Sequence, residues 1–250
     1  MNWIGAMSGA CLALALFAGN GLATEIEGQK ISLPTPERAV DLTYFRAPGD
    51  NPRPAALLLH GAGGFDGQIA AYDHYASELA QNGIDAYLVY YYSAADQQGM
   101  RRGEEVFQNR YVAWAKMVGG LADSLKKNKD SNGKIGLVGF SNGGILASGA
   151  SAIDRNISAA VIYYGGAPWS TLGPVDHFPP LLILHGDADQ IIPVREDKML
   201  AQFAQQFGAP VDLVIYPGES HGFGSRLQST DGADALTRTI AFLRKELDAQ

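Results

Sequence analysis

Gly139-Phe140-Ser141-Asn142-Gly143-Gly144 lies between an apolar run at 134–140 and a run of small and apolar residues at 142–154. The pattern G-x-S-x-G has chemical meaning where a strand turns sharply into a helix, and these flanking runs predict that context. Such a turn forces Ser141 into a strained backbone conformation and lifts its hydroxyl out of the sheet. Strand and helix then pass so closely that side chains at Gly139 and Gly143 would collide, which accounts for glycine at both positions. The turn also aims the Asn142 N–H and the helix N-terminus at the space beside Ser141, where an oxyanion would form. Neither G-x-x-x-x-G-K-[ST] nor G-x-G-x-x-G occurs, so a phosphate cradle lacks its own signature.

Outward from this turn, strand-type and helix-type runs alternate. Upstream, 39–45 alternates in strand fashion and 55–60 is a continuous apolar run. The stretch 68–81 has helical spacing and stops at Asn82-Gly83, 84–92 reads as a buried strand, and 104–127 as mostly helical, with Gly119-Gly120 as a weak point. Downstream, 157–164, 181–185 and 211–216 read as strands, and 195–207 and 233–247 as helices. Continuously apolar strands require burial on both faces, as in a parallel sheet. The expectation is therefore one α/β domain over 24–250, a doubly wound, mostly parallel sheet with helices on both faces. Ligands of such sheets bind beyond the carboxyl ends of the strands.

A serine hydroxyl becomes a useful nucleophile when an imidazole takes its proton. Of five histidines, His221 lies in Tyr216-Pro217-Gly218-Glu219-Ser220-His221-Gly222-Phe223, directly after the last strand. His60 and His185 end apolar strands and read as hydrogen-bonded structural residues, His74 sits on a helix, and His177 lies in a polar loop. An acid must orient the imidazole. Leu184-His185-Gly186-Asp187-Ala188-Asp189 offers two; Asp189 lies further out and is favoured, with Asp187 bracing the turn. A second oxyanion donor is expected from His60-Gly61-Ala62-Gly63-Gly64, with Ala62 nominated ahead of Gly63.

The whole chain has 250 residues, 46% hydrophobic and 18% charged, which excludes collagen-like and disordered classes. A net charge of −7 argues against a nucleic-acid partner. The first charged side chain is Glu25; before it, 4–18 is almost wholly apolar and Gly21-Leu22-Ala23 puts small residues at −3 and −1. That is a signal-peptide profile over 1–23, predicting export to periplasm or medium, and the run is too short for a stable membrane anchor. The one cysteine, Cys11, falls inside it, so the remaining chain has no thiol.

These residues resemble the dienelactone hydrolase family of α/β-hydrolases, through Gly139–Gly144, His185-Gly186-Asp187-Ala188-Asp189 and Tyr216–Phe223. The resemblance implies the α/β-hydrolase fold, a triad of Ser141, Asp189 and His221, and an oxyanion hole of Ala62 and Asn142. It implies a serine hydrolase of small carboxylic esters or lactones working through an acyl-enzyme. Founding members of the family carry cysteine where this chain has Ser141, and a glutamate where it has Gly61. Both changes point away from dienelactones and toward serine-type ester hydrolysis. No metal or cofactor is expected, and the sequence sets no oligomeric state. A peptidase or amidase with the same triad, and a binding protein with a vestigial site, are the alternatives. Phe65, Tyr92, Trp169 and Phe223 are candidate walls of the site, and Arg226 a candidate carboxylate ligand.

Overall fold

A computed structural model describes residues 25–102, 105–168 and 174–249. The expected leader at 1–23 and the candidate wall residue Trp169 lie outside them. The chain begins with two strands, β1 (Gln29–Pro34) and β2 (Ala39–Phe45), followed by β3 (Arg53–Leu59), α1 (Ile69–Gln81), β4 (Asp85–Val89) and α2 (Ala94–Arg101). Next come α3 (Val106–Lys126), β5 (Ser131–Phe140), α4 (Asn142–Ile153) and β6 (Ile157–Tyr163). Then follow β7 (Leu181–Gly186), α5 (Arg195–Gln206), β8 (Val211–Tyr216), a single 3-10 turn (Phe223–Ser225) and α6 (Thr230–Glu246).

Among the described residues, eight strands form one sheet in the order β1-β2-β4-β3-β5-β6-β7-β8. From β4 through β8 neighbouring strands run parallel, while β2 is antiparallel to both β1 and β4. The short link between β1 and β2 permits only an antiparallel pair, because a parallel one needs a long crossover. Leu57 and Leu59 of β3 bury toward Trp114, Val118 and Leu121 of α3 and Leu146 of α4. Ala56 and Leu58 bury on the opposite face with Tyr75 and Leu79 of α1 and Leu243 of α6. Both faces of β3 are thus apolar, which is why its sequence is a continuous run rather than an alternation.

The structure departs from the sequence expectation in three elements. β1 is an addition to the expected strands: it is an edge strand with four of its six residues exposed and none buried, so its pattern is weak. Helix α2 is separate from α3, and its start carries a capping box in which Ser93 Oγ accepts from Asp96 N–H while Asp96 Oδ2 accepts from Ser93 N–H. Gly119-Gly120 does not interrupt α3. Those glycines instead admit neighbours: a Cβ on Gly119 would strike the Asp154 carboxylate, and one on Gly120 the Pro36 ring.

The chain leaves β3 toward β4 on one side of the sheet, and leaves β5 toward β6, β7 and β8 on the other. This reversal opens a crevice beyond the carboxyl ends of β3 and β5. No helix among the described residues is long and apolar enough to cross a membrane.

Candidate active site

Ser141 stands at the tip of β5 as the residue before α4, with φ 56° and ψ −118°. A serine with that φ is strained and needs its neighbours to hold it there. Ser141 N–H donates to the Tyr163 carbonyl of β6, and its own carbonyl accepts from Ile145 N–H in the first turn of α4, both at 3.0 Å. A Cβ on Gly139 would collide with the Gly143 carbonyl oxygen, so these two elements do pass too closely for a side chain. A Cβ on Gly143 meets a different obstacle, the Leu59 and His60 carbonyl oxygens at the end of β3. Three backbones therefore converge beneath Ser141.

The structure brings Ser141, His221 and Asp189 into one hydrogen-bonded line. His221 Nε2 lies 2.9 Å from Ser141 Oγ, and His221 Nδ1 lies 2.7 Å from Asp189 Oδ2. An ionised carboxylate can only accept, so Nδ1–H donates to it and Nε2 is left to accept the serine proton. The Asp189 side chain is fully buried, while that of His221 is 21% exposed. Asp189 Oδ1 accepts from the N–H groups of Ile191 and Ile192 at 2.8 and 3.0 Å, which fixes the carboxylate plane. Asp187, in contrast, accepts from Gly218 N–H at 2.6 Å and ties two loops together. The Tyr164 ring, 4.9 Å from that of His221, packs edge-on against it.

Asn142 opens α4, where helical geometry leaves its N–H without an intrahelical partner. Ala62 follows Gly61 in a turn closed by Gly64 N–H donating to the Gly61 carbonyl at 3.1 Å. A Cβ on Gly61 would sit 3.4 Å from Ser141 Cβ, so this position faces the serine. The loop is braced by aromatic packing that the sequence did not reveal. The His60 ring stacks on Tyr91 at 4.0 Å and meets Phe65 and Tyr92 edge-on, while Tyr91 OH donates to the His60 carbonyl at 2.6 Å. Burial pushes the His60 imidazole down to about 4, so it stays neutral, with Nδ1–H donating to the Gly61 carbonyl.

A cavity of about 260 Å³ lies against this loop, lined by Ala62, Gly63, Tyr92, Gln97, Met100 and Arg101. Of the expected wall residues, Tyr92 lines it. Phe65 and Phe223 are instead core residues, the first in the His60 cage and the second fully buried among Tyr163, Tyr164 and Tyr216. Arg226 pairs with Glu219 on its own loop rather than standing ready for a substrate carboxylate. Among the described residues no cluster of His, Cys, Asp and Glu could hold a metal ion.

A serine, an imidazole and a buried carboxylate in line at the carboxyl edge of this sheet are the mark of an α/β-hydrolase. The chain belongs to the dienelactone hydrolase family, whose profile matches residues 42–247. It is 26% identical over 165 residues to acyl-protein thioesterase 1 of Gibberella zeae, a match covering 53% of this chain and 66% of that protein. Among solved structures it superposes on an esterase of Pyrobaculum calidifontis with a TM-score of 0.72 at 19% identity, covering 89% of this chain and 86% of that one. A dienelactone hydrolase of Anabaena variabilis superposes with a TM-score of 0.70 at 20% identity, covering 89% and 99%. These structural likenesses speak to the fold.

Proposed function

We propose that the protein hydrolyses small carboxylic esters or lactones through an acyl-enzyme on Ser141. The observation that carries this reading is the unbroken line Asp189–His221–Ser141, with Ser141 held at φ 56° over the crevice. Ser141 Oγ attacks the ester carbonyl carbon as His221 Nε2 takes its proton. The carbonyl oxygen gains negative charge and is met by the Ala62 and Asn142 N–H groups and the N-terminus of α4. As the tetrahedral centre collapses, the C–O bond to the alcohol breaks and His221 returns the proton to it. Water, deprotonated by the same imidazole, then attacks the acyl-serine and releases the acid.

A 260 Å³ cavity beside the oxyanion loop suits a short acyl or alkoxy group. Gly61 presents no carboxylate to the nucleophile, which supports serine-type ester chemistry. The sequence profile of residues 1–23 supports export. A fluorophosphonate probe should label the wild type and leave Ser141→Ala unlabelled, while short nitrophenyl esters and lactones turn over faster than long-chain esters or peptide amides. An unlabelled wild type, or equal labelling of Ser141→Ala, refutes the nucleophile.

A further inference from the structure

The polar line continues inward past Asp189. His185, near the end of β7, is completely enclosed, and both its ring nitrogens meet oxygens that can only accept. Nδ1 lies 2.6 Å from Asp197 Oδ2; Nε2 lies 2.9 Å from the Ile192 carbonyl oxygen and 3.3 Å from Asp189 Oδ2. A neutral imidazole would press a lone pair against one of these acceptors, whereas a doubly protonated ring satisfies both sides. Asp197 is itself fully buried on α5, and its carboxylate accepts from Gly165 N–H at 3.2 Å and Gly166 N–H at 2.6 Å. Those glycines begin the loop after β6, and a Cβ on Gly165 would crowd Gly144 in the first turn of α4. One carboxylate thus links α5, β7 and the loop that packs on the serine turn.

The geometry points to His185 as a positioning residue, held as an imidazolium between Asp197 and Asp189 so that the Asp189 carboxylate is locked in line with His221. This rests on the triad reading above. Asp189 Oδ2 accepts the His221 Nδ1–H and lies 3.3 Å from His185 Nε2, close enough for its charge to be felt, while Oδ1 accepts two backbone N–H groups, so the carboxylate cannot rotate without losing these bonds and the ion-pair contact. Two buried carboxylates and one buried cation also leave less uncompensated charge than two carboxylates alone. Burial opposes charging the His185 ring, but the bond and charge of Asp197, the Ile192 carbonyl and Asp189 outweigh it and raise its proton affinity. The titratable groups around the pair are Asp189 and Asp197 on the two nitrogens and His221 across Asp189, with Tyr164 packed against His221.

The test has a spectroscopic and a kinetic arm. In wild-type protein carrying ¹⁵N-labelled histidine, one ring should keep both N–H protons at pH 8, and its signals should be absent from His185→Gln. Asp197→Asn preserves an acceptor for the glycine N–H groups but removes the counter-ion, so that ring should become singly protonated. His185→Gln should lower kcat about tenfold to a hundredfold with KM unchanged, because the acid is misplaced while the substrate cavity is intact. A singly protonated His185 in the wild type overturns the proposal, as does a folded His185→Gln with wild-type kcat. Should that variant not fold, the proton count on the wild-type ring decides. Absence of fluorophosphonate labelling in the wild type would instead refute the triad, independently of the count of protons on His185.

Discussion

Replacing Asp189 by asparagine exchanges one oxygen for an NH₂ group and reverses one hydrogen bond. In the protein, Oδ1 accepts from Ile191 and Ile192 N–H, and Oδ2 from His221 Nδ1–H at 2.7 Å. An asparagine keeps its oxygen on the two backbone donors, because turning the amide over would set NH₂ against both. The NH₂ group then faces His221, so Nδ1 must accept and the ring proton moves to Nε2, pointing at Ser141. The imidazole can no longer take the serine proton, although nothing has changed shape. Such a tautomer trap costs about 10⁴ in kcat in a serine protease triad, or about 5 kcal/mol of transition-state stabilisation. Asp187→Asn is the matched control: its amide oxygen can still accept from Gly218 N–H, so kcat should stay within about threefold, as for ordinary surface changes. Saturation kinetics on a nitrophenyl ester, paired with fluorophosphonate labelling rates, measure both. If Asp189→Asn keeps more than about a tenth of wild-type kcat, or Asp187→Asn loses as much as Asp189→Asn, the assignment of the acid is wrong.

Four further outcomes concern stability. Gly143→Ala pushes a Cβ onto the Leu59 and His60 carbonyl oxygens, which belong to backbone and cannot swing aside, so urea unfolding should show a loss of about 1–3 kcal/mol or more. Gly63→Ala, with open space around its Cβ, should stay within about 0.5 kcal/mol. Asp85→Ala strands the buried Arg53 guanidinium, which the carboxylate meets at 3.0 Å, and also removes the acceptor for Ala47 N–H and Tyr44 OH. A loss of about 3–5 kcal/mol is expected in the same assay. His60 gives the pH dependence. Its folded value of about 4 lies below the ordinary imidazole value of 6.5, so below pH 6.5 the unfolded chain binds a proton that the folded protein refuses. Stability should therefore decline from about pH 6.5 down to about pH 4, by about 3 kcal/mol from this group. His60→Gln should flatten that part of the profile, and an unchanged slope would show that His60 does not cause it.

The residues of the serine turn were legible because the constraint on them is local. A strand, a strained serine and a helix within a dozen residues leave little choice at Gly139 and Gly143. The acid was less legible, since Asp187 and Asp189 share one loop and differ only in which way each side chain turns. His185 and Asp197 are twelve positions apart, on different elements, and no short pattern joins them. The Ser93–Asp96 capping box marks the start of α2 locally, but the helix it opens is only eight residues long and mostly polar, so hydrophobic spacing does not reveal it. Phe65 and Phe223 read as possible site walls because an aromatic residue near a loop looks the same whether it faces a cavity or the core.

The amino-acid sequence by itself determined the α/β architecture, through apolar runs long enough for buried strands alternating with helical spacing, and it located the serine turn through glycines that no other residue could replace. Those are local matters of hydrophobic period and backbone sterics. Tertiary structure alone decided which carboxylate meets His221, that His60 lies neutral in an aromatic cage beneath the Gly61–Gly64 loop, and that His185 lies between two buried carboxylates. Each of these depends on the direction of a side chain from one strand end toward another, and on water being excluded between them. Neither direction nor dielectric is written in any single segment; both arise when β3, β5, β7 and the loop after β8 converge.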